Sequence, residues 1–283
     1  MINLRIINSQ TITEAVKNMC MEANYILPCD IKKALENAEK NEESAVGKEI
    51  LEKIIKNSEI AKNEKMPICQ DTGMAVFFVE IGNKVHIEGK NLTDAINEGV
   101  RQGYTDGYLR KSVVSDPLIR NNTGDNTPAI IHYEFTDGEN IKITIAPKGF
   151  GSENMSAIKM LAPSAGIEGI KAFVKETVEK AGANPCPPIV IGVGIGSDFE
   201  GVAQLAKKAL TRSIDTHHPD KLYADLEDEL LKIVNKTGIG PQGFGGRTTA
   251  IGLNIETAPT HIASLPCAVN ISCHVTRHLT KTI

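Results

Sequence analysis

The turn Cys69-Gln-Asp-Thr-Gly73 divides two stretches of opposite period. Before it, Val46, Ile50, Leu51, Ile54 and Ile55 share one face of a run whose other face is Lys and Glu, the spacing of an amphipathic helix. After it, Met74-Ala-Val-Phe-Phe-Val-Glu-Ile81 is a nearly unbroken apolar run of strand type. A helix must stop and a sheet must begin within a few residues. The turn between them displays a thiol, an amide and a carboxylate. Loops held by regular elements are where ligand chemistry is usually placed. A cysteine there can be a metal ligand, a nucleophile or a small buried residue, and the turn alone leaves all three open.

Residues 11–62 read as helical, with Asp30 able to cap Ile31–Lys40. A strand-rich stretch spans 74–88, and 92–111 reads as a helix despite its glycines. Ala129–Phe135 and Ile141–Ala146, joined at Asp137-Gly138, read as a hairpin. The glycine loop at 148–154 leads into a short helix and then a clear one at 167–180. Pro185-Cys-Pro-Pro188 precedes a buried-type strand at 189–193. Helices near 199–211 and 222–236 follow, and 250–255 and 268–273 look strand-like. No internal repeat, low-complexity tract or linker stands out. Helices and strands intermix without a strict βαβ rhythm. The expected fold is therefore α+β, with mixed sheets and packed helices. Residues 1–283 are expected to form a single large domain or two intimate lobes, with 1–64 mainly helical.

Composition removes several function classes. The net charge of −4 offers no footprint for nucleic acid or an anionic membrane. Tryptophan is absent and aromatics are 4%, so base-stacking platforms are not expected. No apolar run approaches the roughly 18 residues of a membrane span. The start Met-Ile-Asn-Leu-Arg-Ile-Ile lacks a signal-peptide pattern, and a cytosolic setting is expected. Six cysteines stand at 20, 29, 69, 186, 267 and 273 without a C-x-x-C pair. In a reducing compartment such thiols are free, metal-bound or catalytic. Cys20, beside Met19 and Met21, is most simply core; Cys29 follows Pro28 at a helix entrance.

Other motifs carry less. Asp71-Thr-Gly73 is the aspartic-protease triplet, but that chemistry needs a second facing carboxylate and the chain has no second copy of the motif. Gly192-Val-Gly-Ile-Gly196 lacks the third glycine at dinucleotide spacing. The run 237–247 has no Walker lysine; its glycines serve tight turns, or expose N–H groups to an anion or cluster. His217-His218 fits an exposed turn. His261 and His274 stand near Cys267 and Cys273.

Cys69-Gln-Asp-Thr-Gly73, preceded by Lys65-Met-Pro67, resembles the signature of the iron–sulfur hydro-lyases of the class I fumarate hydratase and L-tartrate dehydratase family. Similar stretches follow in that family's order: Lys148-Gly-Phe-Gly-Ser-Glu-Asn-Met-Ser156, Cys186-Pro-Pro188, Gly240-Pro-Gln-Gly-Phe-Gly-Gly246, and Pro259-Thr-His-Ile-Ala-Ser-Leu-Pro266 with Cys273 beyond. The resemblance implies a [4Fe–4S] cluster held by Cys69, Cys186 and Cys273, with Cys267 the rival for the third place. The iron left without a thiolate would act as a Lewis acid on a substrate hydroxyl. It further implies that Gln70 and Asp71 face the substrate, Asp71 and His261 being the catalytic pair. Arg110 would hold a carboxylate through its planar fork, and Gly151 and Asn154 would contact the substrate from the glycine loop. The chain resembles the α subunit of the two-subunit form, so a β subunit in an α2β2 assembly is expected. The expected reaction interconverts fumarate and L-malate, with L-tartrate dehydration as the alternative. A non-catalytic iron–sulfur sensor or scaffold is the reading of another class.

Overall fold

The computed structural model describes residues 4–283. Residues 1–3, part of the run read for a signal pattern, lie outside the described residues. In chain order the elements are β1 (Arg5–Asn8), α1 (Ser9–Tyr25), α2 (Cys29–Asn41), α3 (Ala45–Glu64), β2 (Met74–Gly82), β3 (Val85–Glu88) and α4 (Leu92–Asp106). Then follow β4 (Ile130–Thr136), β5 (Ile141–Lys148), α5 (Phe150–Glu153), β6 (Ala157–Leu161), α6 (Gly166–Ala181) and β7 (Ile189–Ser197). The chain ends with α7 (Phe199–Ala209), α8 (Lys221–Asn235), β8 (Ala250–Thr260), β9 (Leu265–Ser272) and β10 (Leu279–Thr282). The fold is α+β with mixed sheets, as the sequence implies. It divides into two compact units, one of residues 4–27, 58–149 and 277–283, the other of 28–57 and 150–276. Among the described residues no helix is long and apolar enough to cross a membrane.

The first unit is built on a sheet of order β10-β5-β2-β4. Its central strand β2 runs parallel to β4 and antiparallel to β5. Helices α1 and α4 pack Ile12, Val16, Met19, Ile96 and Val100 onto Phe77, Val79, Ile143 and Ile145. Each such side chain contributes about 1.5–3 kcal/mol by leaving water. The hairpin expected from 129–146 does not form. Both strands are present, but they sit on opposite sides of β2, and the Asp137–Asn140 turn straddles its end, where Asn140 O accepts the Gly82 N–H at 2.9 Å. An Asp-Gly turn favours chain reversal locally, but here β2 pairs with both strands, Val76–Gly82 with Ile130–Thr136 and Met74–Ile81 with Ile141–Lys148.

The second unit has a sheet of order β6-β9-β7-β8. Strand β7 is parallel to β8 and antiparallel to β9. The second sheet thus repeats the first: a central strand, a parallel neighbour on one side, and the next strand crossing to pair antiparallel on the other. No sequence repeat announces this. Ile189, Ile191, Val193 and Ile195 pack under α6 and α8. Gly192 and Gly194 point the other way, beneath α7. A Cβ on Gly192 would strike Ala206 O, and one on Gly194 would strike Val202 O. The run Gly192–Gly196 is therefore strand and not a ligand loop, and Gly192 and Gly194 let α7 lie directly on the sheet. The short helix expected after Asn154 is instead mainly edge strand β6, paired with β9. Asp30 does not cap α2; its Oδ2 accepts from Ser213 Oγ and Ile214 N, both at 2.9 Å.

Gly192→Ala should push α7 off β7 and cost roughly 1–3 kcal/mol. Urea unfolding should show a lower midpoint with an unchanged slope; a wild-type midpoint would contradict the close helix–strand contact.

Candidate active site

The turn at Cys69 is held by its carbonyls. Helix α3 ends at Glu64, Lys65 takes the left-handed φ of 52°, and buried Ile68 anchors the chain by donating to Asn24 O at 3.0 Å. Arg277 Nη2 donates to Asp71 O at 2.9 Å, and Tyr104 Oη donates to Thr72 O at 2.9 Å. Gly73 O accepts from Asn126 Nδ2 at 3.2 Å. Gly73 itself has φ +76°, and a Cβ there would lie 2.6–2.7 Å from the Lys148 backbone, so only glycine fits. Thr72 Oγ1 donates to Arg110 O at 3.1 Å, which ties the Arg110 backbone to the same turn. The Cys69 thiol donates to Gln70 Oε1 at 3.4 Å, and Cys69 Sγ accepts the Asp71 N–H at 3.4 Å. Asp71 Oδ1 accepts from Gly73 N at 3.0 Å. The first unit therefore brings Cys69, Gln70, Asp71 and the Arg110 backbone onto one braced surface, with the Gln70 and Arg110 side chains exposed.

Arg277, Asn24 and Tyr104 are parts of this brace that sequence reading missed. Arg277 is 4% exposed and its Nη1 donates to Asn24 Oδ1 at 2.8 Å. Asn24 Nδ2 in turn reaches Cys20 O at 2.9 Å. Burial pushes the Tyr104 phenol well above its ordinary value, so it stays a proton donor. No motif marks a buried arginine in a C-terminal tail; only the tertiary path back to residue 71 reveals it.

In the second unit, Cys186 lies three residues before β7 and Cys273 immediately follows β9. Because Val190 pairs with Ser272 in the antiparallel register, both thiols lie at one end of the sheet. Ser156 Oγ accepts from Ile271 N at 3.1 Å, which brings the segment containing Asn154 to the same end. Asn154 and Asn184 line one cavity of about 320 Å³ with Lys180, Glu176 and Phe173. Gly151 faces open space; a Cβ there would meet nothing within 4 Å. His261 is elsewhere. It sits in the exposed turn between β8 and β9, at the opposite end of β7. Nine strand residues correspond to about 26 Å at ~3.3 Å per residue. Its Nδ1 accepts the Ala263 N–H at 3.2 Å.

Glu42 secures the second glycine loop. Its carboxylate accepts from the N–H groups of Glu43, Ser44, Arg247 and Thr248 at 2.9–3.1 Å. Burial pushes its pKa up, but the N–H donors of Arg247, Ser44 and Thr248 outweigh this and hold the carboxyl below its ordinary value.

The cysteines divide into two sorts. Cys20 and Cys267 are fully buried in apolar cores. Burial raises both thiols, Cys267 to about 12, so each stays protonated at neutral pH. Cys69, Cys186 and Cys273 lie in turns outside those cores. Cys29, the first residue of α2, is exposed as well; thiols outside the cores, Cys69 in the first unit and Cys186 and Cys273 in the second, have the donor chemistry that an iron–sulfur cluster takes. Among the described residues no three His, Cys, Asp or Glu side chains converge on a point that would hold a single metal ion. A cubane cluster does not require that, since each thiolate binds a different iron.

The family described as fumarate hydratase (Fumerase) matches residues 13–282. The chain is 46% identical over 278 residues to the putative L(+)-tartrate dehydratase subunit alpha of Methanocaldococcus jannaschii, covering 96% of this chain and 97% of that one. It is 32% identical over 275 residues to the L(+)-tartrate dehydratase subunit alpha of Escherichia coli and to that of Shigella boydii, covering 96% of this chain and 90% of each relative. The chain belongs to the fumarate hydratase and tartrate dehydratase alpha-subunit family, a family of hydro-lyases.

Arg277→Ala would leave Asp71 O and Asn24 Oδ1 buried without this donor, a loss of roughly 1–3 kcal/mol for each acceptor left unsatisfied. A lower urea midpoint checks it, and wild-type stability would show that the brace is dispensable. Glu42 has the opposite dependence on acid from a buried histidine. Its folded pKa is depressed, so its stabilisation is present above the ordinary carboxylate value and lost as pH falls through and below about 4. Glu42→Gln should flatten that part of the stability–pH curve. At pH 8, iodoacetamide should modify exposed Cys29 and spare Cys267; mass spectrometry of native protein that shows Cys267 alkylated would contradict its burial.

Proposed function

We propose that this chain is the cluster-bearing half of a hydro-lyase that interconverts fumarate and L-malate. Cys69, Cys186 and Cys273 would hold a [4Fe–4S] cluster. When bound, such a cluster supplies one Lewis-acidic iron for a substrate hydroxyl. The observation that carries the reading is the sorting of the thiols: Cys20 and Cys267 are locked in cores, exposed Cys29 opens helix α2, and the three at the family's positions lie in turns at strand ends.

The residues of this chain have separate tasks. Arg110, exposed and anchored through its carbonyl, would bind a substrate carboxylate with its planar fork. Gln70 and Asp71 would orient the substrate from the braced turn, Asp71 accepting a proton or a hydroxyl hydrogen bond. Asn154 and the Gly151 N–H would contact it from the end of the sheet that carries Cys186 and Cys273. His261 stands at the far end of β7, which gives the reading no proton step through it beside those two thiols within one chain. A second chain, a β subunit, would complete the enclosure and supply the remaining anion contacts, in an α2β2 assembly in the cytosol.

L-Tartrate dehydration is the second reading, favoured by the printed names of the relatives. Both substrates are four-carbon dicarboxylates. Anaerobic turnover of fumarate, L-malate and L-tartrate by the complex with a β subunit separates them; cluster content without turnover of any of the three would favour a sensor or scaffold.

Cys69→Ser, Cys186→Ser and Cys273→Ser should each abolish stable uptake of about four irons, and Cys267→Ser should not. Full iron content in Cys273→Ser with loss in Cys267→Ser would reverse the assignment of the third ligand. Arg110→Lys keeps the charge and loses the fork. It should cost roughly 2–5 kcal/mol in kcat/KM with iron content unchanged; wild-type kcat/KM would remove Arg110 from the site.

A further inference from the structure

The loop that carries Cys186 has few donors of its own. Pro185, Pro187 and Pro188 surround the cysteine and have no N–H to donate. Cys186 has the left-handed φ of 55°, which a residue with a Cβ adopts at a cost and keeps only under outside support. Its own N–H is committed to Ala183 O at 3.0 Å. The handles that remain are carbonyls, and donors come to them from two other segments. His274 Nδ1 lies 2.9 Å from Cys186 O. Gln242 donates twice to Pro187 O, from its backbone N at 2.8 Å and from Nε2 at 2.7 Å.

We propose that His274 and Gln242 are positioning residues that fix Cys186 and Cys273 in relation to each other before the cluster arrives. The proposal rests on the reading of those two cysteines as cluster ligands. His274 is the residue after Cys273, so its bond to Cys186 O couples the backbones of the two cysteines directly. A carbonyl only accepts, so Nδ1 carries the proton and the ring's tautomer is assigned. Gln242 Nε2, 3.3 Å from Nδ1, is then a donor to Pro187 O and not to the ring. Gln242 has φ 52° and sits in the glycine loop whose far end Glu42 secures through Arg247 and Thr248. Thr276 Oγ1 donates to Cys273 O at 2.8 Å and steadies the other side. A cluster with three thiolates has none to spare, and partners that orient metal ligands typically change metal affinity 10–100-fold.

The test compares wild type, His274→Ala, His274→Asn and Gln242→Ala after anaerobic reconstitution. Asparagine places its amide nitrogen near the position of Nδ1 and should restore the bond. Iron release to a chelator, followed by visible absorbance, should be roughly 10–100-fold faster in His274→Ala and Gln242→Ala and near wild type in His274→Asn. Wild-type release from His274→Ala, or no rescue by His274→Asn, would overturn the proposal. Hydrogen exchange in cluster-free protein reads the clamp without the cluster. The Gln242 amide should exchange faster in His274→Ala than in wild type or His274→Asn; equal protection in all three would overturn the clamp. If His274→Ala does not fold, Gln242→Ala carries the same comparison, with exchange read at the Cys186 amide. A wild-type protein that takes up no iron while the exchange pattern holds would refute the cluster reading and leave the clamp standing.

Discussion

Each sheet depends on one strand that has neither a free edge nor an empty face. Strand β2 is hydrogen-bonded on both sides by β5 and β4, and β7 by β9 and β8. On β7, alternate side chains are apolar toward α6 and α8 and glycine toward α7. A strand buried in this way admits no polar side chain without a partner, because an unmet polar group inside a core costs several kcal/mol. Chemistry is therefore pushed to the strand ends. Cys69 lies in the turn before β2, and Cys186 lies in the turn before β7. The same architectural rule places both thiols, one in each unit.

The turns so created have a common difficulty. Both leave regular backbone pairing, and both include residues at positive φ, Gly73 in one and Cys186 in the other. Their carbonyls are met by side chains from distant parts of the chain. Arg277, Tyr104 and Asn126 serve the first turn; His274 and Gln242 serve the second. Fixing a turn with donors from elsewhere couples site geometry to the fold as a whole. Side chains beside the first turn, meanwhile, remain exposed. Gln70 and Arg110 are anchored through their neighbours and their own backbone, and their side chains stay available to a ligand.

The family relationship and the thiol chemistry meet at one point. A hydro-lyase that uses iron needs thiolates that can ionise, and burial prevents ionisation. Cys267 occupies the interior of β9, pushed up to about 12, while Cys273 stands just beyond the strand's end. They stand six positions apart in sequence, yet one is fully buried in the strand and the other is partly exposed beyond it. Under the proposed cluster reading, this strand boundary would favour Cys273 over Cys267 as the third ligand.

Much of the local structure was legible in the sequence, because period and turn chemistry act over a few residues. The helices at α1 to α4, the strand after Gly73, the helix at α6 and the apolar β7 all follow from apolar spacing. So does the α+β class, and the ordered motifs identify the family. What the sequence could not determine is which strand lies beside which. Residues 129–146 carry a sound hairpin signal, and β2 separates the two strands because pairing depends on distant partners. The glycines of β7 look like a ligand loop until α7 is seen to lie on them. Asp30 has the chemistry of a helix cap and instead binds Ser213 and Ile214. Arg277 has no local signal at all. Local propensities are written in neighbouring residues; strand order, buried polar partners and the accessibility of a thiol are properties of surfaces that meet only when the chain has folded.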